Sequence, residues 1–221
     1  MDLLLDSADC FIFDLDDTLY LERSFVESSF RHIDELLREH TARSLALEMM
    51  ERFDRGENVF DWVLRGLRLP KAFSKEWLLH EYRSHVPTID LGEGAKELLD
   101  QLRAADVRIG LMTDGRSISQ RNKIEALGLG AYLSDILISE EFGSEKPHPR
   151  NYRFFADKYP ENSFTFIGDN TSKDFIVPAQ LGWRTICLKC SGRNIHVQDL
   201  SAYPRPDHVV SSLAEIRVLP A

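Results

Sequence analysis

Five short apolar runs, several of them passing directly into Asp, Thr or Gly, constrain this chain more than any other feature. They occupy residues 10–13, 107–112, 136–138, 164–167 and 185–188. Each but the first follows a segment with helical spacing. Strands alternating with helices predict a parallel sheet covered on both faces. Periodicity alone does not separate a short strand from a buried helix. The Gly and Asp that follow several runs favour strands.

Between Leu19 and about Thr88 the pattern changes. Phe25, Ile33, Leu36 and Leu37 recur at helical spacing with charges between them. Leu45, Leu47, Met49, Met50 and Phe53 predict a second helix, and Phe60, Trp62, Val63, Leu64 and Leu67 a third. Trp77, Leu78, Leu79 and Tyr82 predict a fourth, with Ser74 as its N-cap. A crossover between parallel strands needs only about a dozen residues. The excess predicts a helical subdomain inserted after the first strand, with Pro87 marking the return. Phe25, Phe60, Trp62 and Trp77 are read as its core, and Arg23, Arg31 and Arg65 as a solvated face.

The chain has 221 residues, room for one full domain plus an insertion. Its hydrophobic share of 43% is ordinary, so a sizeable core is predicted. A net charge of −9 and a pI of about 5.3 favour a soluble protein and argue against nucleic-acid or membrane-surface binding. An anionic substrate stays compatible, because a bound metal ion inverts the local field. No basic-then-apolar leader and no stretch of membrane-spanning length is present, so a cytoplasmic location is expected. Cys10, Cys187 and Cys190 do not complete a disulfide framework. The single Cys187-x-x-Cys190 is read as buried strand and loop thiols.

Open parallel sheets bind ligands beyond the carboxyl ends of their strands. After the first run comes Asp14-Leu15-Asp16-Asp17-Thr18. Thr113, Asp114 and Gly115 follow the second, and Lys146-Pro147 comes some residues after the third. Gly168, Asp169 and Asn170 follow the fourth, with Asp174 beyond. If the sheet forms, these groups meet at one edge. Crowded carboxylates repel one another, and a hard divalent cation with oxygen ligands relieves them. Mg²⁺ suits such a site because it keeps waters and accepts a phosphate oxygen. Lys and Thr then serve as phosphate donors. The constellation points to phosphoryl transfer.

In these four motifs the chain resembles the haloacid dehalogenase (HAD) superfamily, in its phosphatase branch. Asp14-Leu15-Asp16-Asp17-Thr18-Leu19 matches Asp-x-Asp-x-Thr-Leu, and Thr113-Asp114-Gly115 matches the Thr or Ser motif after an apolar strand. Lys146-Pro147 matches the third motif, and Gly168-Asp169 with Asp174 the fourth. The resemblance runs from about Cys10 to Leu188 in order. It implies an α/β fold, a Rossmann-like parallel sheet core at residues 1–19 and 89–221, and an α-helical cap at 20–88.

The resemblance also implies roles. Asp14 is the expected nucleophile and a metal ligand. Asp16 is the expected general acid and then base, with its backbone carbonyl on the metal. Thr18 is expected to position Asp16 by a hydroxyl hydrogen bond, and Asp17 to be structural. Thr113 and the backbone of Asp114 or Gly115 are expected to bind phosphate. Relatives often carry Asn in place of Asp114, so its side chain is expected to turn away. Lys146 is expected to neutralise phosphate and keep Asp14 ionised. Asp169 is the expected Mg²⁺ ligand, supported by Asn170 and by Asp174 through water or Lys146. His148, where many relatives have Asp, is read as a loop or helix-start residue.

The implied activity is a Mg²⁺-dependent phosphohydrolase acting on a small phosphorylated metabolite through an aspartyl-phosphate. A phosphomutase uses the same motifs. A dehalogenase is disfavoured by the acid at Asp16, a receiver domain by the helical block, and a non-catalytic phosphate-binding module by the intact set. Neither the substrate nor the oligomeric state follows from the sequence.

Overall fold

In a computed structural model, all residues are described other than 6–7, 68, 190–191, 202–203 and 221. The chain opens with β1 (Asp2–Leu5) and β2 (Asp9–Phe13). Four helices follow: α1 (Glu22–Leu37), α2 (Ala46–Asp54), α3 (Val59–Gly66) and α4 (Lys75–Ser84). Then come α5 (Ala95–Ala104), β3 (Arg108–Thr113), α6 (Ser117–Ala126), β4 (Asp135–Ile138), α7 (Ser139–Phe142) and α8 (Pro149–Lys158). The remainder is β5 (Ser163–Gly168), α9 (Ile176–Gln180), β6 (Arg184–Leu188), β7 (His208–Val210) and β8 (Arg217–Pro220).

Six strands form one parallel sheet in the order β4-β3-β2-β5-β6-β7. The five predicted strands are all in it. β2 is buried along its whole length, as a central strand covered on both faces must be. Its side chains alternate between two apolar layers. Phe11 and Phe13 join Leu98, Leu99 and Leu102 of α5 on one face. Cys10 and Ile12 join Tyr152 and Phe155 of α8 on the other. β1 and β8 form a separate parallel pair. The sequence reading did not contain β1, β7 or β8, each of which is only three or four residues long.

The chain extends the sheet from β2 toward β3 and β4, then crosses over to β5 on the other side of β2. This reversal makes the edge beyond β2 a topological switch point, where a crevice opens.

The four predicted helices of the insertion form with their own apolar cluster, including Phe30, Ile33, Met49, Val63 and Leu78. Ser74 caps α4, its hydroxyl accepting from the Trp77 N–H at 3.2 Å. Asn58 caps α3 in the same way through the Asp61 N–H. Phe60, Trp62 and Trp77 pack against this cluster. Phe25, at the start of α1, belongs instead to the layer that covers the sheet. Arg23 pairs with Asp54, Arg31 with Glu27 and Arg65 with Asp61. Among the described residues no helix is long and apolar enough to cross a membrane. Cys10 and Cys187 are buried, and burial pushes both thiols up to about 12. Cys190 lies outside the described residues, so the Cys-x-x-Cys reading rests on Cys187 alone.

His85 follows α4 and is 5% exposed. Its Nδ1 donates to the Tyr82 carbonyl at 3.0 Å, which leaves Nε2 to accept from the Ser28 hydroxyl at 3.2 Å. Burial lowers its pKa to about 4, and the nearby charges of His32 and Lys123 act in the same direction. Between that value and the ordinary one of 6.5 the unfolded chain takes up a proton that the folded chain refuses. Stability from this group is therefore full above pH 6.5 and falls as the pH drops toward 4. His85→Asn should lose less thermal stability than the unsubstituted protein between pH 7 and pH 5, by on the order of 2 kcal/mol. Thermal melts of both proteins at the two pH values measure it, and equal losses would refute the assignment.

Candidate active site

The register of β2 against β5 sets the centre of the site. Phe13 lies opposite Ile167, and the Asp14 N–H continues the ladder by donating to the Ile167 carbonyl at 2.9 Å. Asp14 and Asp169 therefore leave adjacent strand ends, which in a sheet lie about 4.8 Å apart. Asp174 is folded back onto them by a turn. Its Oδ2 accepts from the Asn170 N–H at 2.9 Å. Asp14, Asp169 and Asp174 each bring one carboxylate oxygen within 4.8 Å of the others, and all three are buried.

Lys146 enters this acidic group from the segment between α7 and α8. Its Nζ donates to Asp14 Oδ1 at 2.6 Å and pairs with Asp174 Oδ1 at 2.8 Å. Burial by itself would lower Lys146, but the two carboxylates outweigh it and hold the ammonium well above its ordinary range. The carboxylates remain under-compensated. Burial, with the charge of Asp174, raises Asp14 against the pull of Lys146. Burial and then the charges of Asp14 and Asp174 push Asp169 up to about 8. Three carboxylates thus face one ammonium, a deficit of two charges among hard oxygen donors. That donor set fits a divalent cation.

A cavity of about 100 Å³ opens beside this group. Thr113 lines it at the end of β3, where its hydroxyl donates to Gln120 Oε1 at 3.2 Å. Glu22 of α1, Lys173 and His196 line it as well. Asp16 also borders it, with a different set of partners. Lys123 Nζ lies 2.6 Å from Asp16 Oδ1, Gln120 Nε2 donates to Oδ2 at 3.2 Å, and the Tyr20 hydroxyl donates to Oδ1.

Residues 8–182 match the haloacid dehalogenase-like hydrolase family. The chain belongs to that family. Among its HAD relatives, the glyceraldehyde 3-phosphate phosphatase of Methanocaldococcus jannaschii is 27% identical over 231 residues, covering 93% of each chain. The enzyme of the same name from Pyrococcus abyssi is 28% identical over 193 residues, covering 80% of this chain and 79% of that one. The fold is similar to that of the Bacillus subtilis HAD-hydrolase YfnB bound to magnesium, with a TM-score of 0.65 at 19% identity over 94% and 96% of the two chains.

Against this HAD frame, Asp14, Asp16, Thr113, Asp114, Lys146, Asp169 and Asn170 all line one cavity. Asp114 turns its carboxylate aside, toward the Lys146 N–H at 3.0 Å and Lys173 Nζ at 2.9 Å. His148 is the N-cap of α8. Asp17 is structural: its backbone has φ of +55°, and its carboxylate accepts from the N–H groups of Glu22 and Ile195. One expectation needs correction. The Thr18 hydroxyl is buried and has no hydrogen-bond partner among the described residues. It does not position Asp16, whose oxygens are already taken by Lys123, Gln120 and Tyr20. The Gly115 N–H donates to Ser139 Oγ at 2.9 Å, and Thr113 and Asp114, not Gly115, line the cavity.

Sequence reasoning missed Glu22, Lys123, Gln120, Lys173, Asn194 and His196. Burial and then the charge of Asp16 raise Glu22 to about 8, against Lys123. Asn194 Nδ2 donates to Asp169 Oδ2 at 3.3 Å from a loop far along the chain. A legible signal existed for α6. Its residues show no full apolar stripe, and its buried face carries Ser119, Gln120 and Lys123 beside Ile124.

Gly168 is fixed by this geometry, because a Cβ there would stand 2.3 Å from Asp174 Oδ2. Gly168→Ala should displace Asp174 from Lys146 and lower hydrolase activity at least about tenfold, since small misplacements at a reacting centre are costly. Phosphate-release assays read alongside thermal melts measure this. Wild-type activity in a folded variant would show that the Asp174 position is dispensable.

Proposed function

We propose that this chain is a Mg²⁺-dependent phosphatase that passes the phosphoryl group of a small phosphorylated metabolite through Asp14 to water. The observation that carries the reading is the buried Asp14 held by Lys146, beside Asp169 and Asp174 and open to the Thr113 cavity. The archaeal relatives named glyceraldehyde 3-phosphate phosphatases support a short phosphorylated substrate, as does the small cavity. Residues 20–88 form the cap of this proposal and residues 1–19 and 89–221 its core.

In the proposed mechanism Lys146 and the Thr113 hydroxyl bind phosphate oxygens, joined by the Asp114 N–H. Lys146 also favours the ionised form of Asp14 and fixes its rotamer. An Asp14 oxygen bonds to phosphorus while the bond to the leaving oxygen breaks, and Asp16 gives that oxygen a proton. A water then bonds to phosphorus, Asp16 takes its proton, and the Asp14–phosphorus bond breaks to release inorganic phosphate. Asp14 and Asp169, supported by Asp174 and by the Asp16 carbonyl, would hold Mg²⁺. When bound, the ion supplies Lewis-acid stabilisation of charge on the phosphoryl oxygens and restores the missing positive charge.

Asp14→Asn should lower phosphate release by about a thousandfold or more across a panel of phosphorylated metabolites. Excess chelator should abolish the activity of the unsubstituted protein, and Mg²⁺ should restore it. Full activity in the variant or in chelator would contradict the mechanism.

A further inference from the structure

Lys123 belongs to none of the four motifs, yet it is 2% exposed and lies 2.6 Å from Asp16 Oδ1. A lysine is seldom buried this deeply. Its Nζ sits 4.3 Å from the centroid of the Phe25 ring and 5.7 Å from that of Tyr20. Gln120, three residues earlier on the same face of α6, holds the other Asp16 oxygen. The Tyr20 hydroxyl completes the seat. Both oxygens of Asp16 are therefore occupied by neighbours outside its own motif.

This seat is also tied to the helical block. The Ser119 hydroxyl donates to the Arg83 carbonyl at 3.1 Å, and Asn122 Nδ2 donates to the carbonyls of Ser84 and His85 at 2.9 and 3.0 Å. Phe25, whose ring covers the Lys123 ammonium, is on α1. α6 thus contacts the end of α4 on one side and holds Asp16 on the other.

Stability alone does not explain a buried ammonium here, since a well-packed apolar residue in place of a buried ion pair is often as good or better. Positioning does explain it. An Asp side chain left free samples several rotamers. A group that must reach a leaving oxygen, and afterwards a water, works only from a narrow range of positions.

We propose that Lys123 is a positioning residue for Asp16, and that its packing beneath Phe25 makes the Asp16 position depend on how α1 is seated. The inference rests on the acid–base reading of Asp16 given above. Lys123 itself touches neither the phosphoryl group nor the leaving oxygen in this scheme.

The test compares kcat/KM for two esters. One is p-nitrophenyl phosphate, whose leaving group departs without a proton. The other is the best of a panel of alkyl phosphates beginning with glyceraldehyde 3-phosphate, whose leaving oxygen needs one. Lys123→Met should lower kcat/KM for the alkyl ester by about ten- to a hundredfold and for the aryl ester by less than about threefold. Tyr20→Phe, which removes one hydroxyl, should show the same pattern with a smaller loss, and it carries the test if Lys123→Met does not fold. A structural role would lower both esters alike. Equal losses on both esters, or none on either, would overturn the proposal. Asp16→Asn separates the two levels of inference. Equal losses there would remove the acid–base reading itself. Discrimination there without discrimination in the Lys123 and Tyr20 variants would remove the positioning role alone.

Discussion

The pairing of Lys146 with Asp14 and Asp174 is the interaction on which the rest of the site depends. Both carboxylates and the ammonium are buried, at distances of 2.6 and 2.8 Å. Charges taken this far from water persist only with partners in good geometry. Removing the lysine would leave two buried carboxylates facing a third, and breaking such a pair typically costs about 3–5 kcal/mol. The same pairing sets the chemistry. It holds Asp14 in one orientation and leaves Asp169 short of positive charge. The deficit of two charges stays concentrated at Asp14, Asp169 and Asp174, where a divalent cation fits.

The sheet makes this arrangement possible. Adjacent parallel strands bring Asp14 and Asp169 together with no long-range loop closure of their own, because register alone places them side by side. The crossover from β4 to β5 then carries Lys146 over the switch point. The helical block reaches the same edge by another route: the first turn of α1 delivers Glu22 and Phe25, and α6 joins the end of α4 to Asp16. The sheet end and the helical block thus meet around Asp16.

What was legible in the sequence follows from this division. Residues that leave a strand end, such as Asp14, Thr113 and Asp169, are readable because strand and turn are local signals. Lys146 was readable less directly, since it lies some residues beyond its strand in a loop with no periodicity, and the motif resemblance gave it its role. Lys123 and Gln120 were not read, although the lack of a full apolar stripe was visible in the residues of α6. Glu22, Lys173 and His196 reach the cavity through tertiary packing that no local pattern encodes. The Thr18 expectation failed because the Asp16 oxygens go to competing partners, two of which, Gln120 and Lys123, lie far away in sequence.

The most direct test of Asp14 as the phosphorylated group is chemical trapping. Enzyme mixed with substrate and Mg²⁺ is quenched in acid within one turnover, reduced with borohydride and mapped by mass spectrometry. An acyl phosphate at Asp14 is reduced to homoserine, so the account predicts homoserine at position 14 and nowhere else. Reduction at another carboxylate, or an unmodified Asp14 in enzyme that is turning over under the same conditions, would contradict it.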